Sequence, residues 1–111
     1  MVPLSDYPAV IKRVIEAYAA FKPSYGAIEV ETVFDDARGH YEIVYAGWND
    51  HKRVHGTVVH VDIKGDKVWI QHDGTEHGIV DDLLEQGIPP DRIVLAFQHV
   101  TQRRHGEFAM E

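Results

Sequence analysis

The stretch from Val54 to Glu76 constrains this chain more than any other. Val54 to Lys64 is rich in β-branched residues and reads as a long strand. Gly65-Asp66 is a two-residue hairpin signal of the Gly-X kind, with glycine free to take a positive φ. Lys67 to Asp73 returns as a second strand. Asp73 and Glu76 stand three apart and suit a capping box at the start of a helix, with Thr75 a competing N-cap. A chain carrying this stretch must place two antiparallel strands side by side and then turn into a helix.

The flanking segments extend the pattern. Tyr7, Val10, Ile11, Val14, Ile15, Tyr18 and Phe21 recur at three- and four-residue spacing, which predicts an amphipathic helix over about residues 5 to 21. Ser5 or Asp6 is placed to cap it, and Pro8 falls in the first turn, where its missing N–H costs nothing. Ile28, Val30, Thr32 and Phe34 alternate with Glu29, Glu31 and Val33, as in a strand with one buried face. Asp35 to Gly39 is a turn, and His40 to Trp48 alternates again, so these two strands pair as a hairpin. Gly47 to Arg53 reads as a polar loop. After the opening stretch, Ile79, Val80, Leu83 and Leu84 give a second helix its apolar face. Gly87 sits where helices end in the left-handed conformation. Pro89-Pro90-Asp91 turns the chain, and Ile93 to Phe97 is a short apolar strand or buried run. Phe108 and Met110 are candidate anchors for the tail.

Helices before and after the strands, instead of alternating with them, argue an α+β fold. The expectation is an N-terminal helix, a mainly antiparallel sheet of four to five strands built from two consecutive hairpins, and a second helix after the hairpins. No linker or repeat divides residues 1–111, so a single domain is expected.

Charge and composition exclude more than they assign. Eighteen acidic against eleven basic residues give a formal charge of −7, a poor basis for neutralising phosphates on duplex DNA. The basic residues do pair locally, as Lys12-Arg13, Lys52-Arg53 and Arg103-Arg104, and folding would have to gather them into one patch. There is no cysteine, which removes disulfides and thiolate metal sites. No apolar run approaches the roughly 20 residues of a membrane span, and no signal peptide is visible, so a cytoplasmic location without membrane contact is expected.

Eight histidines raise the question of a metal: His40, His51, His55, His60, His72, His77, His99 and His105. His60 and Asp62 share a strand face, and His72, Asp73, Glu76 and His77 crowd the strand-to-helix corner. Zinc accepts such ligands, yet neither HExxH nor histidines at helical i, i+4 spacing occur. Glu29, Glu31 and Glu42 fall on outward strand faces, where carboxylates pairing across the hairpin would suit acid–base work; a solvated sheet face explains them as well. Lys64, Asp66, Asp73 and Glu76 loosely resemble a nuclease constellation. The Asp73–Glu76 corner offers free N–H groups to an anion, although the Asp73 side chain fills that place itself. Gly56 suggests a bulge or a close backbone approach. Trp48, Trp69, Tyr41 and Tyr45 read as core, or as an aromatic interface patch. No residue is assigned a catalytic, cofactor or metal role.

The wording itself goes further. Val54-His55-Gly56, His60-Val61-Asp62-Ile63-Lys64, Val68-Trp69-Ile70-Gln71 and Asp73-Gly74-Thr75-Glu76 with Gly78-Ile79 resemble the central signature of the XisI family. Lys22-Pro23-Ser24 and Gly26-x-Ile28-Glu29 are similar to its first helix and strand, Gly47-Trp48 before Arg53 to its mid-loop, and Gly87-x-Pro89 with Asp91-x-Ile93-Val94-Leu95 to the stretch after its second helix. Ala96 stands where the family would have glycine, and His105-Gly106-Glu107 replaces a threonine-containing approach to Phe108-Ala109. The family is named for the fdxN element excision controlling factor XisI. The resemblance implies a regulatory role in timed excision of a DNA element in heterocyst-forming cyanobacteria, together with an XisH-like partner and a separate recombinase.

Three functions follow as expectations. The first is a non-catalytic accessory protein binding an XisH-like protein, in indirect association with a site-specific recombinase and DNA. Its interaction surface would carry Trp48, Arg53, His55, Trp69, Arg103 and Arg104. The second is direct DNA binding as an excision cofactor through the basic pairs. The third is a metal-dependent nuclease or hydrolase. An exposed aromatic sheet face would also favour a homodimer.

Overall fold

The computed structural model describes residues 1–104 and 106–111. A 3₁₀ turn at Leu4–Asp6 leads into helix α1, Tyr7–Ala19. Four strands follow: β1, Ala27–Asp35; β2, His40–Asn49; β3, Lys52–Lys64; and β4, Lys67–Asp73. Helix α2, Val80–Glu85, carries the chain to β5, Ile93–Leu95, and helix α3, Val100–Arg103, begins the tail. The sheet runs β1-β2-β3-β4-β5. All pairings are antiparallel except β4 with β5, which α2 joins as a parallel pair.

Helix α1 buries Tyr7, Val10, Ile11, Val14 and Ile15 on the sheet. A helix of 13 residues is marginal alone in water. Burial of these side chains, worth roughly 1.5–3 kcal/mol each, holds it. They pack against Tyr41 and Ile43 of β2, Val59 and Val61 of β3, Val68 and Ile70 of β4, and Ile93 of β5. Leu83 of α2 and Ile88, just past its end, close the core. Gly87, at φ +102°, ends α2 in a Schellman turn. Ile88 N–H donates to the Leu83 carbonyl at 3.1 Å and Gly87 N–H to that of Leu84 at 3.0 Å. Phe108 packs on the core from the tail, whereas Met110 is exposed.

Both expected hairpins are present, and a third joins them. Gly47 to Arg53 is not a loop: β2 runs to Asn49, β3 starts at Lys52, and Asp50, at φ +59°, makes the turn. Its polar residues lie on strands because this end of the sheet projects into solvent. Gly47 permits the pairing, since a Cβ there would lie 2.0 Å from the Ala27 carbonyl oxygen. Gly56 marks neither a bulge nor a close approach; a Cβ there meets nothing within 4 Å. The bulge falls at Val58, unpaired between Ile43↔Val59 and Val44↔Thr57. A second leaves Gln71 unpaired on β4.

The helices are shorter than their periodicity. Helix α1 ends at Ala19, so Phe21 leaves the stripe and is 76% exposed. Asp6 occupies the N-cap of α1 without a side-chain hydrogen bond, because the 3₁₀ turn already bends the chain in. Helix α2 begins only at Val80, so Asp73 and Glu76 form no capping box. Asp73 instead accepts from Thr75 N–H and Oγ1 and from Ile79 N–H, at 3.1, 2.6 and 2.9 Å. Thr75 Oγ1 in turn accepts from Gly78 N–H at 2.9 Å. The anion place at this corner is thus filled by Asp73, as its sequence position suggested. No helix among the described residues is long and apolar enough to cross a membrane.

Candidate functional site

Helices α1 and α2 pack on one face of the sheet. The other face is open over β2 and β3, while the tail lies against its β4–β5 end, where Arg103 stacks on Trp69 and Val94 is buried. On β2 the outward positions are His40, Glu42, Val44, Ala46 and Trp48. The register sets opposite them Asp62, His60, Thr57, His55 and Arg53 of β3. The bulge at Val58 makes this possible. Strict alternation from Arg53, His55 and Thr57 would send Val59 and Val61 outward and bury His60 and Asp62. One extra residue reverses the phase, so that Val59 and Val61 enter the core and His60 and Asp62 face out.

Those residues close a polar cluster with His40. His40 Nδ1 lies 2.8 Å from Asp62 Oδ1, and Nε2 lies 2.6 Å from Glu42 Oε2. Glu42 also accepts from Thr57 Oγ1 at 2.9 Å. His60 Nε2 approaches Asp62 Oδ1 to 3.1 Å, and Gln71 Nε2 donates to Asp62 Oδ2 at 3.3 Å. The two imidazole centroids are 4.5 Å apart. The hydrogen bond to Glu42 raises the His40 pKa above its usual value; partial burial opposes this and the bond to Asp62 adds to it. The same His40 contact holds Glu42 below the ordinary carboxylate range. With a proton on each nitrogen, His40 has no lone pair to act as a base. The cluster is half-buried. It adjoins an open cleft of about 450 Å³ lined by Asp35, Arg38, His40, Asp62, Ile63 and Lys64.

Two cation–aromatic stacks flank the cluster. The Arg53 guanidinium lies 5.3 Å from the Trp48 ring centroid at the β2–β3 tip. At the other end, Lys64 Nζ and the Arg103 guanidinium lie 4.7 and 5.7 Å from the Trp69 ring. Arg103 also donates to the carbonyls of Gln98, Met110 and Ala96 and so ties the tail down. His55 is exposed on the same sheet face, and Arg104 is exposed at the end of α3. The proposed surface residues therefore fall into two groups, Trp48, Arg53 and His55 at the tip and Trp69, Arg103 and Arg104 at the tail.

Other sequence groupings come apart. Tyr41 and Tyr45 face the helices, so they make no patch with the tryptophans; the alternation of β2 puts odd and even residues on opposite faces. Glu42 lies opposite Val33, and Glu31 opposite Val44, so no carboxylates pair across the first hairpin. Lys64 and Asp66 sit at one end of β4, Asp73 at the other with Glu76 beyond it, and Asp66 is held by Arg92 and Lys67. No nuclease-like constellation forms from those four. His72, Glu76 and His77 are exposed without joining Asp73 in a metal-sized cluster among the described residues. His105 lies outside the described residues. The basic pairs stay apart as well: Lys12 binds Asp36 and Arg13 binds Gln86 on the helix side, Lys52-Arg53 is at the tip, and Arg103-Arg104 is at the tail. What the sequence hid was His40, brought to His60 and Asp62 only by register. The Val58-Val59 doublet, which breaks the alternation, was the available signal.

The family model described as XisI protein matches residues 1–110. A crystal structure of a XisI-like protein from Anabaena variabilis ATCC 29413 is similar at TM-score 0.89 and 30% identity, covering 96% of this chain and 98% of that one. The fdxN element excision controlling factor XisI from the same organism is similar at TM-score 0.82 and 30% identity, covering 97% and 98%. No curated protein sequence matches.

Proposed function

The chain belongs to the XisI family, and on that premise we propose that it is a non-catalytic accessory protein that binds an XisH-like protein in the control of DNA element excision. The observation that carries this reading is the likeness, over almost the whole of both chains, to a protein named as an excision controlling factor. The sheet supports it. His40, His60, Glu42 and Asp62 satisfy one another, and His40 spends both nitrogens on Glu42 and Asp62. The open face presents Trp48 and Arg53 at one end and Trp69 at the other. Trp and Arg are the residues that most often anchor protein interfaces.

Co-expression of this chain with an XisH-type protein, followed by tag capture and gel filtration, tests the reading. A complex that stays together at micromolar concentration is expected. Clean separation of the two would count against it.

A further inference from the structure

We propose that His40, His60 and Asp62 bind a single divalent transition-metal ion of the Zn²⁺ type on the open face of the sheet. One ligand atom from each lies within 4.8 Å of the other two. His60 Nε2 lies 3.1 Å from both oxygens of Asp62, and His40 Nδ1 lies 2.8 Å from one of them, Oδ1. When Nε2 of His40 donates to Glu42, the neutral ring turns its Nδ1 lone pair on that oxygen. Two lone pairs at such a distance repel unless a cation lies between them. A proton is one such cation, and a metal ion drawing in His60 as well is the other.

The surroundings suit the ion. A metal-binding imidazole commonly donates its far nitrogen to a carboxylate, which fixes its tautomer and aim. Glu42 stands in that place at 2.6 Å and is itself held by Thr57. Gln71 fixes the second oxygen of Asp62. With neutral imidazoles, Asp62 and Glu42 leave two negative charges on the face, which a divalent ion balances. Two nitrogens and one carboxylate oxygen favour zinc and its neighbours over Mg²⁺ or Ca²⁺, which prefer all-oxygen shells. The adjoining cleft, lined by His40 and Asp62 among others, gives solvent and ions access to the site.

The backbone gives an independent indication. The bulge at Val58 lies two residues before His60, and the bulge at Gln71 lies next to His60's partner, His72. Bulges concentrate where a side chain has to be re-aimed. Here both adjoin the pairs that hold the three ligands outward.

The test is calorimetric titration of the chelator-treated full chain with ZnCl₂, repeated with MgCl₂. Saturation at about one Zn²⁺ per chain is expected, with Mg²⁺ bound at least tenfold more weakly. His60→Gln and Asp62→Asn should each weaken Zn²⁺ binding by about tenfold or more. The double variant His51→Gln/His55→Gln, outside the cluster, should leave it unchanged. Absence of saturable uptake, equal affinity for Mg²⁺, or undiminished binding in His60→Gln would overturn the proposal. If circular dichroism shows that a variant has lost its fold, histidine ring resonances of the unaltered chain decide. Zn²⁺ should move His40 and His60 first; movement of other histidines while these stay fixed would overturn the site.

Discussion

Single side chains here do work that their sequence positions only partly announce. Asp73 is placed to cap a helix. In the structure it satisfies three donors of the loop before one, on Thr75 and Ile79. Asp73→Ala leaves those half-buried donors unpaired and should cost about 1–3 kcal/mol in urea unfolding; a loss below about 0.5 kcal/mol would contradict the assignment. Asp36 was legible only as a turn residue. It accepts from Lys12 Nζ at 2.9 Å and from Tyr41 OH at 2.8 Å. These contacts, Lys12's first, hold its carboxyl below the ordinary 3.8. The folded state therefore binds this proton more weakly than the unfolded one. Its contribution is present above the unfolded value and is lost as pH falls through the lower folded value. Asp36→Asn should flatten the acid limb of the stability–pH curve below about pH 4, leaving the slope above about pH 5 unchanged. Equal acid limbs in both proteins would refute the coupling. His60 and Asp62 were readable as a pair because two-residue spacing on a strand shares a face. His40 was not, since 20 residues and a turn separate it from His60.

At the level of elements, alternation and turn residues were enough to place α1, the four long strands, the Gly65-Asp66 turn and the Gly87 helix stop. Two things escaped. Polar Gly47 to Arg53 hid a strand end, because a sheet tip wet on both sides has no alternation to display. The phase change at Val58 escaped because a bulge shows only as two apolar neighbours. Both give tests. Gly47→Ala drives a Cβ against the Ala27 carbonyl and should destabilise by about 1–3 kcal/mol. Gly56→Ala meets open space and should be neutral or stabilising by up to about 1 kcal/mol. Thermal melts showing equal effects would contradict the register. Deleting Val58 removes the extra residue and leaves strict alternation with Val59 and Val61 inward and His60 and Asp62 outward, so the deletion variant should still fold; a variant that fails to fold would contradict the placement of the bulge.

On the scale of the whole molecule, one face of the sheet is closed by α1 and α2, and the other is open except where the tail lies against β4 and β5. The open face carries two cation–aromatic stacks about 25–30 Å apart along β3, separated by the histidine–carboxylate cluster. The α+β class was legible because helices and hairpins fall in separate blocks. Which aromatic residues face out depended on register, and so did the dispersal of the basic pairs. Self-association and partner binding would both use this face. The dimer fraction in sedimentation should accordingly fall as an XisH-type protein is added; a fraction that does not change would separate the two surfaces. The most direct measurement is the affinity of the purified chain for an XisH-type protein, alongside the variant Trp48→Ala/Arg53→Ala. A complex with micromolar or tighter dissociation constant is expected, weakened about tenfold or more in the variant. No detectable complex between two folded proteins would contradict the accessory-protein account, and undiminished binding in the variant would remove the tip of the open face from it.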